Sequence, residues 1–123
     1  MTSVRKAFTL IELLIVVVII GIIASIAIPK YVNTKEKAYI ANMKADLRNL
    51  MSAQEAYYAD NNAYANSTTV LGTQYKSSTG ITVTIYRVAV NGWRATATHA
   101  STTHYCRIYL GTFSRVEGAT VCF

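Results

Sequence analysis

Glu12 is the first residue in this sequence that demands a chemical explanation. Residues 8–28 read FTLIELLIVVVIIGIIASIAI, and Glu12 is the only charge among them. A carboxylate inside such an apolar span costs about 2.5–3.5 kcal/mol on insertion scales unless it meets a partner. Its available chemistry is ionic: it can accept hydrogen bonds or pair with a cation. The second reactive set is Cys106 and Cys122, the only two cysteines, with His99 and His104 close to the first of them. A sparse, even pair in an exported chain suggests one disulfide. The rival is a metal site built from His104, Cys106 and His99, although no CxxC or HxxxH spacing accompanies it. No Gly-rich phosphate loop, paired carboxylates or nucleophile with an evident base is visible. The expectation is therefore a chain that is not an enzyme and carries no cofactor and no metal.

The element that must hold Glu12 is a helix. At 1.5 Å per residue, residues 8–28 would extend about 31 Å, enough to cross the hydrocarbon of a bilayer. Arg5 and Lys6 stand just before the span, and no basic residue follows it until Lys30. That asymmetry predicts a cytoplasmic N-terminus and an exported remainder. Two plainer readings compete. A secretory signal peptide could be cut at the small-x-small site Ser25-Ile26-Ala27, leaving Ile28 first, but an acidic residue in its apolar region is atypical. A simple membrane anchor gives Glu12 no purpose.

The stretch RKAFTLIELLIVVVIIGIIASIAIPKY resembles the class III signal of type IV pilins and related pseudopilins. The basic leader, the small residue before the cut, Phe8-Thr9-Leu10-Ile11-Glu12, and the apolar run with Gly21 and Pro29 carry the likeness over about a quarter of the chain. The resemblance implies a leader of residues 1–7, removed between Ala7 and Phe8 by a prepilin peptidase that also methylates the new N-terminus of Phe8. It implies too that Glu12 pairs with the N-terminal amine of an adjacent subunit, so that Phe8 and Glu12 form the assembly joint. Ala7 departs from the family's usual glycine, and slower cleavage is expected. An amine created at Phe8 would lie four residues from Glu12, about one helical turn.

Past the apolar run, Pro29 removes an amide donor and clashes with the preceding turn, while Gly21 weakens the same stretch. Together they predict a hinge within the helix. The family adds the expectation that backbone between them loses helicity on assembly. Residues 30–62 resume helical spacing, with Ile40, Met43, Leu47, Leu50, Met51 and Tyr58 at three- and four-residue intervals and the charges mostly elsewhere. A helix from Phe8 to about Asp60 would have roughly fifty residues, ended by the turn-favouring Asp60-Asn61-Asn62.

The rest predicts an α+β fold in which the long N-terminal helix packs on a three- or four-stranded antiparallel sheet. Residues 63–80 read as a surface connection with a short helical turn near residues 69–71. From Ile81, ITVTIYRVAV alternates apolar and polar residues, Asn91-Gly92 supplies a tight turn, and WRATATH continues. A third strand over residues 104–110 follows, and EGATVCF forms an edge segment tied back by Cys122 to Cys106. The sheet and C-terminal loop thus occupy residues 81–123.

Twelve Lys+Arg stand against six Asp+Glu, a formal charge of +6. Loss of Arg5 and Lys6 with the leader would leave ten cations against six acids, a net +4. That mild bias permits weak, salt-sensitive binding to DNA or anionic surfaces, with Arg87, Arg94, Arg107 and Arg115 as its carriers. Asn66-Ser67-Thr68 fits a glycosylation sequon. The resemblance implies a precursor in the inner membrane and then an extracellular pilus, a homo-oligomeric helical filament, with the prepilin peptidase and the pilus assembly machinery as partners. The expected role is a major pilin for adhesion, twitching motility or DNA uptake; a minor pilin, or a pseudopilin of a type II secretion system, is the alternative.

Overall fold

The computed structural model describes residues 6–113 and 118–123. Helix α1 spans Leu10–Asn61 and is followed by four strands: β1 (Ile81–Ala89), β2 (Gly92–His99), β3 (Tyr105–Tyr109) and β4 (Thr120–Cys122). The strands form one antiparallel meander in the order β1-β2-β3-β4. This is the expected α+β class. The chain divides into two compact units, Met1–Lys35 and Glu36–Phe123, and the boundary falls within α1.

The first unit is the apolar half of α1. The helix starts at Leu10, with Thr9 as its N-cap, and it runs on as helix through Pro29. The large apolar side chains from Phe8 through Val32 are exposed in the single chain; Phe8 and Leu10 are each 85% exposed. Water is therefore not the solvent this surface is built for. The span has the length and mean hydropathy, 3.1, of a membrane-crossing helix.

The second unit owes its core to the amphipathic half of α1. Met43, Leu47 and Leu50 are fully buried and cluster with Ile81, Val83 and Ile85 of β1, Trp93, Ala95 and Ala97 of β2, and Cys106 and Ile108 of β3. Small residues at positions 95 and 97 keep the inner face of β2 low. The helical stripe departs from expectation at its C-terminal end. Ala53 and Gln54 are buried there and Tyr57 packs on the core, whereas Tyr58 meets Tyr64 in a tilted ring contact at 4.6 Å between ring centres. The helix stops at Asn61 as expected, and Asn62 turns the chain with φ 51°, a conformation asparagine tolerates better than most residues.

The hairpin differs from simple alternation in two ways. Ile81, Val83 and Ile85 face inward as predicted, but a bulge between Ile85 and Arg87 leaves Tyr86 unpaired and sets Arg87 opposite Arg94 and Val88 opposite Trp93. Without that extra residue Arg87 would take the inward position. The connection is Val90-Asn91, since Gly92 already pairs with Ala89. Gly92 is needed for a different reason than a turn: a Cβ there would fall on the carbonyl of Leu110. The short helical turn also lies slightly later than expected, at Gly72–Gln74, and the third strand is shorter, Tyr105–Tyr109.

Candidate assembly site

At the start of α1 the backbone amide of Thr9 donates to Glu12 Oε2 at 2.9 Å and its hydroxyl donates to the same oxygen at 2.7 Å. In return the Glu12 amide donates to Thr9 Oγ1 at 3.3 Å. This is a reciprocal capping box, Thr-x-x-Glu. It satisfies two of the amide donors that every helix leaves open at its N-terminus. The pattern Thr9-Leu10-Ile11-Glu12 is a capping signature, which a reading of Glu12 by its charge and its partner amine does not reveal. A cap of this kind contributes about 1 kcal/mol, less than the 2.5–3.5 kcal/mol insertion cost. Glu12 therefore retains a reason to seek a cation, and since both Thr9 bonds fall on Oε2 the carboxylate has further acceptor capacity to take one.

Ala7 and Phe8 precede the helix in non-helical, exposed backbone, the accessible form a protease requires. Residues 1–5, including Arg5, lie outside the described residues. Gly21 and Pro29 both sit inside α1, and a Cβ at Gly21 would meet nothing within 4 Å. Pro29 has no amide to give the carbonyl four residues back.

Cys106 and Cys122 face each other across β3 and β4 and are bonded, with their Cα atoms 4.0 Å apart. The bond consumes both thiols. His99 stacks on Tyr39 with ring centres 4.1 Å apart and accepts the Ser101 amide at Nδ1, and His104 Nδ1 meets the Phe123 carbonyl at 3.0 Å. No group of three metal-capable side chains occurs among the described residues.

The outer face of the sheet carries the cations. Arg87 pairs with Arg94, Arg94 with Tyr109, and Arg107 with Thr96. The Arg94 guanidinium lies over the Tyr86 ring at 5.4 Å and that of Arg107 over Tyr105 at 4.8 Å. Tyr86 is fixed in turn by its hydroxyl contact with Thr96. Arg115 lies outside the described residues.

Comparison with known proteins bears on this geometry directly. Residues 2–28 match the prokaryotic N-terminal methylation motif, which contains Ala7, Phe8, Thr9 and Glu12. The type IV wide pilus major component of Thermus thermophilus is 35% identical over 100 residues, covering 80% of this chain and 76% of that protein. The chain belongs to the type IV pilin family. Similarity extends to the type IV major pilin protein of Myxococcus xanthus, 37% identical over 68 residues, 55% of this chain and 31% of that protein. It extends also to the type II secretion system core protein G of Pectobacterium carotovorum, 38% identical over 63 residues, 51% of this chain and 40% of that protein. The chain thus spans well under half of these last two. In this pilin, the exposed apolar half of α1 and its methylation motif are one continuous feature.

Proposed function

We propose that this pilin is the major structural subunit of a type IV pilus, polymerising through residues 8–28 after cleavage between Ala7 and Phe8. The observation that carries this reading is the unbroken exposure of large apolar side chains around Glu12 in the single chain. Such a surface is stable in lipid before assembly and among neighbouring helices after it, and it stays dry in both. Cleavage frees an α-amine at Phe8, methylation keeps it basic, and the Glu12 carboxylate of a neighbouring subunit pairs with it. The precursor is then held in the inner membrane and the product is an extracellular filament. The prepilin peptidase and the pilus assembly machinery are its processing partners, and no enzymatic step is assigned to the pilin itself. Gly21 and Pro29 serve as the hinge where the helix loosens during packing.

A second reading, a pseudopilin of a type II secretion system, is favoured by the relatives named core protein G, one of them in Pseudomonas aeruginosa at 34% identity over 76 residues. Those matches cover 62% of this chain or less, against 80% for the wide-pilus component. The longer match, reaching into the sheet, supports the pilus reading. Intact mass of surface fibres tests both. The expected product begins at methylated Phe8 and makes up the bulk of the fibre; a chain beginning at Ile28 overturns the pilin reading, and a low-copy periplasmic stub selects the pseudopilin. A density map of native fibres reports the hinge, as extended backbone between Gly21 and Pro29.

A further inference from the structure

The outer face of the sheet holds a recess of about 90 Å³, lined by Tyr86, Arg94, Ala95, Arg107 and Tyr109. Two guanidinium groups border it, and residues 81–110 and 118–123 contain no Asp or Glu side chain to answer them. The Nε of Arg94 and the Nε of Arg107 are both buried without a hydrogen-bond partner among the described residues. The guanidinium groups themselves are half-buried, and that of Arg107 also bonds the Tyr109 side chain; an anion brought between them would take up the donors left without a partner. Both guanidinium planes are held by aromatic faces, Arg94 on Tyr86 and Arg107 on Tyr105 with Phe123 behind at 6.0 Å, so little side-chain entropy remains to be lost on binding. Arg94 and Arg107 are diagonal neighbours on adjacent strands, placed opposite Tyr109 and Thr96 respectively, where like charges repel unless a counter-charge intervenes.

We propose that this recess is an oxyanion site, taking a single carboxylate or phosphate group between the guanidinium edges of Arg94 and Arg107. The volume excludes a whole organic ligand, which needs about 300 Å³ or more. The bound group is therefore a free small anion or the charged end of a larger molecule lying on the sheet. Planar guanidinium groups match both carboxylate and phosphate oxygens. Tyr86 and Tyr109 form two walls of the recess. This inference stands apart from the filament reading, since it uses no residue of the apolar half of α1.

The test is nuclear magnetic resonance of the arginine side-chain NH signals of the full chain, ¹⁵N-labelled in a neutral detergent, titrated with inorganic phosphate, with acetate and with chloride at equal ionic strength. The expected result is a saturable shift confined to Arg94 and Arg107, while Arg48 and Arg87 stay with the chloride control. Saturation by phosphate alone assigns phosphate groups, by acetate alone carboxylates, and by both a general oxyanion site. Arg94→Lys and Arg107→Lys keep the charge but lose the planar fork, and each should weaken binding about tenfold; a melting temperature equal to the parent's shows that the fold is intact. No saturation with either anion overturns the proposal, as does equal movement of Arg48, Arg87, Arg94 and Arg107, or lysine variants that bind as tightly as the parent.

Discussion

Asp46 holds Ser78 by two hydrogen bonds of 2.7 Å each, one from the backbone amide and one from the hydroxyl. Asp46 is only 2% exposed and lies on the packed face of α1, while the Ser78 carbonyl accepts the amide of Ile81 at 3.1 Å at the start of β1. One carboxylate thus fixes where the connection ends and the sheet begins. Asp46→Ala would strand a donor that the carboxylate now satisfies, at about 1–3 kcal/mol. Ser78→Ala, which loses only the hydroxyl bond, should cost less. Denaturant midpoints of the two variants check the ranking, and equal midpoints would remove Asp46 as the anchor.

Gln54 makes the corresponding clasp at the other end of the connection. Its side-chain amide donates to the Ala65 carbonyl at 2.9 Å and accepts the Ala65 amide at 2.8 Å, so a fully buried side chain pairs with backbone as a strand would. Gln54→Leu has similar bulk but leaves both Ala65 groups unpaired, and a loss of about 2 kcal/mol or more is expected. In a unit of this size that lowers the melting temperature by roughly 10 °C. A shift under about 2 °C would mean that Ala65 finds other partners.

These two clasps show what the sequence conceals. The apolar stripe of α1, its stop at Asn61, the alternation of Ile81, Val83 and Ile85, and the cysteine pair were all legible, because each follows from a local period or a simple count. Asp46 and Gln54 carry no local signature; their roles depend on Ser78 and Ala65, distant in sequence and set by a loop without periodicity. The Tyr86 bulge was hidden for a related reason, since only the pairing partner reveals an unpaired residue. At the candidate assembly site, Glu12 stands out by the cost of its charge alone. Thr9 was missed although its spacing was in plain view.

Tyr75 gives a pH dependence. Its side chain is buried and its hydroxyl has no partner among the described residues. Burial, and secondarily the charge of Asp46, pushes the phenol well above its ordinary range. A group whose folded-state pKa is raised keeps its full contribution below the unfolded value, about 10 for tyrosine, and loses it as pH rises further. Stability should therefore fall above about pH 10, and the fall should be shallower in Tyr75→Phe than in the parent. Near neutral pH the same substitution should be close to neutral, because it removes an unpaired hydroxyl. Identical alkaline profiles for the two proteins would exclude Tyr75 as the cause.

The Cys106–Cys122 bond closes a loop with a sequence separation of 16, for which the chain-entropy model gives about 3 kcal/mol. Cys122→Ser should lose about that much, and mainly at β4, which has three residues and, among the described residues, pairs only with β3. Hydrogen exchange should accelerate first at the amides of Phe123 and Tyr105, which bond each other's carbonyls at 2.9 and 3.1 Å. Uniform acceleration across β1 and β2 would instead mean that the bond supports the whole core.

Glu12 separates an assembly role from simple anchoring, because the two roles predict opposite signs. Glu12→Ala removes a carboxylate that costs about 2.5–3.5 kcal/mol in a bilayer and gives up a cap contributing about 1 kcal/mol. Membrane insertion of the precursor should improve, while fibre yield should collapse for want of a partner to the Phe8 amine. Thr9→Ala loses the cap but keeps the carboxylate, so its fibres should form with only a modest loss. Quantifying membrane-bound precursor and sheared fibres in the same cells checks both. Normal fibres from Glu12→Ala would reduce Glu12 to a helix cap, and its pairing with a neighbour's amine would have to be abandoned.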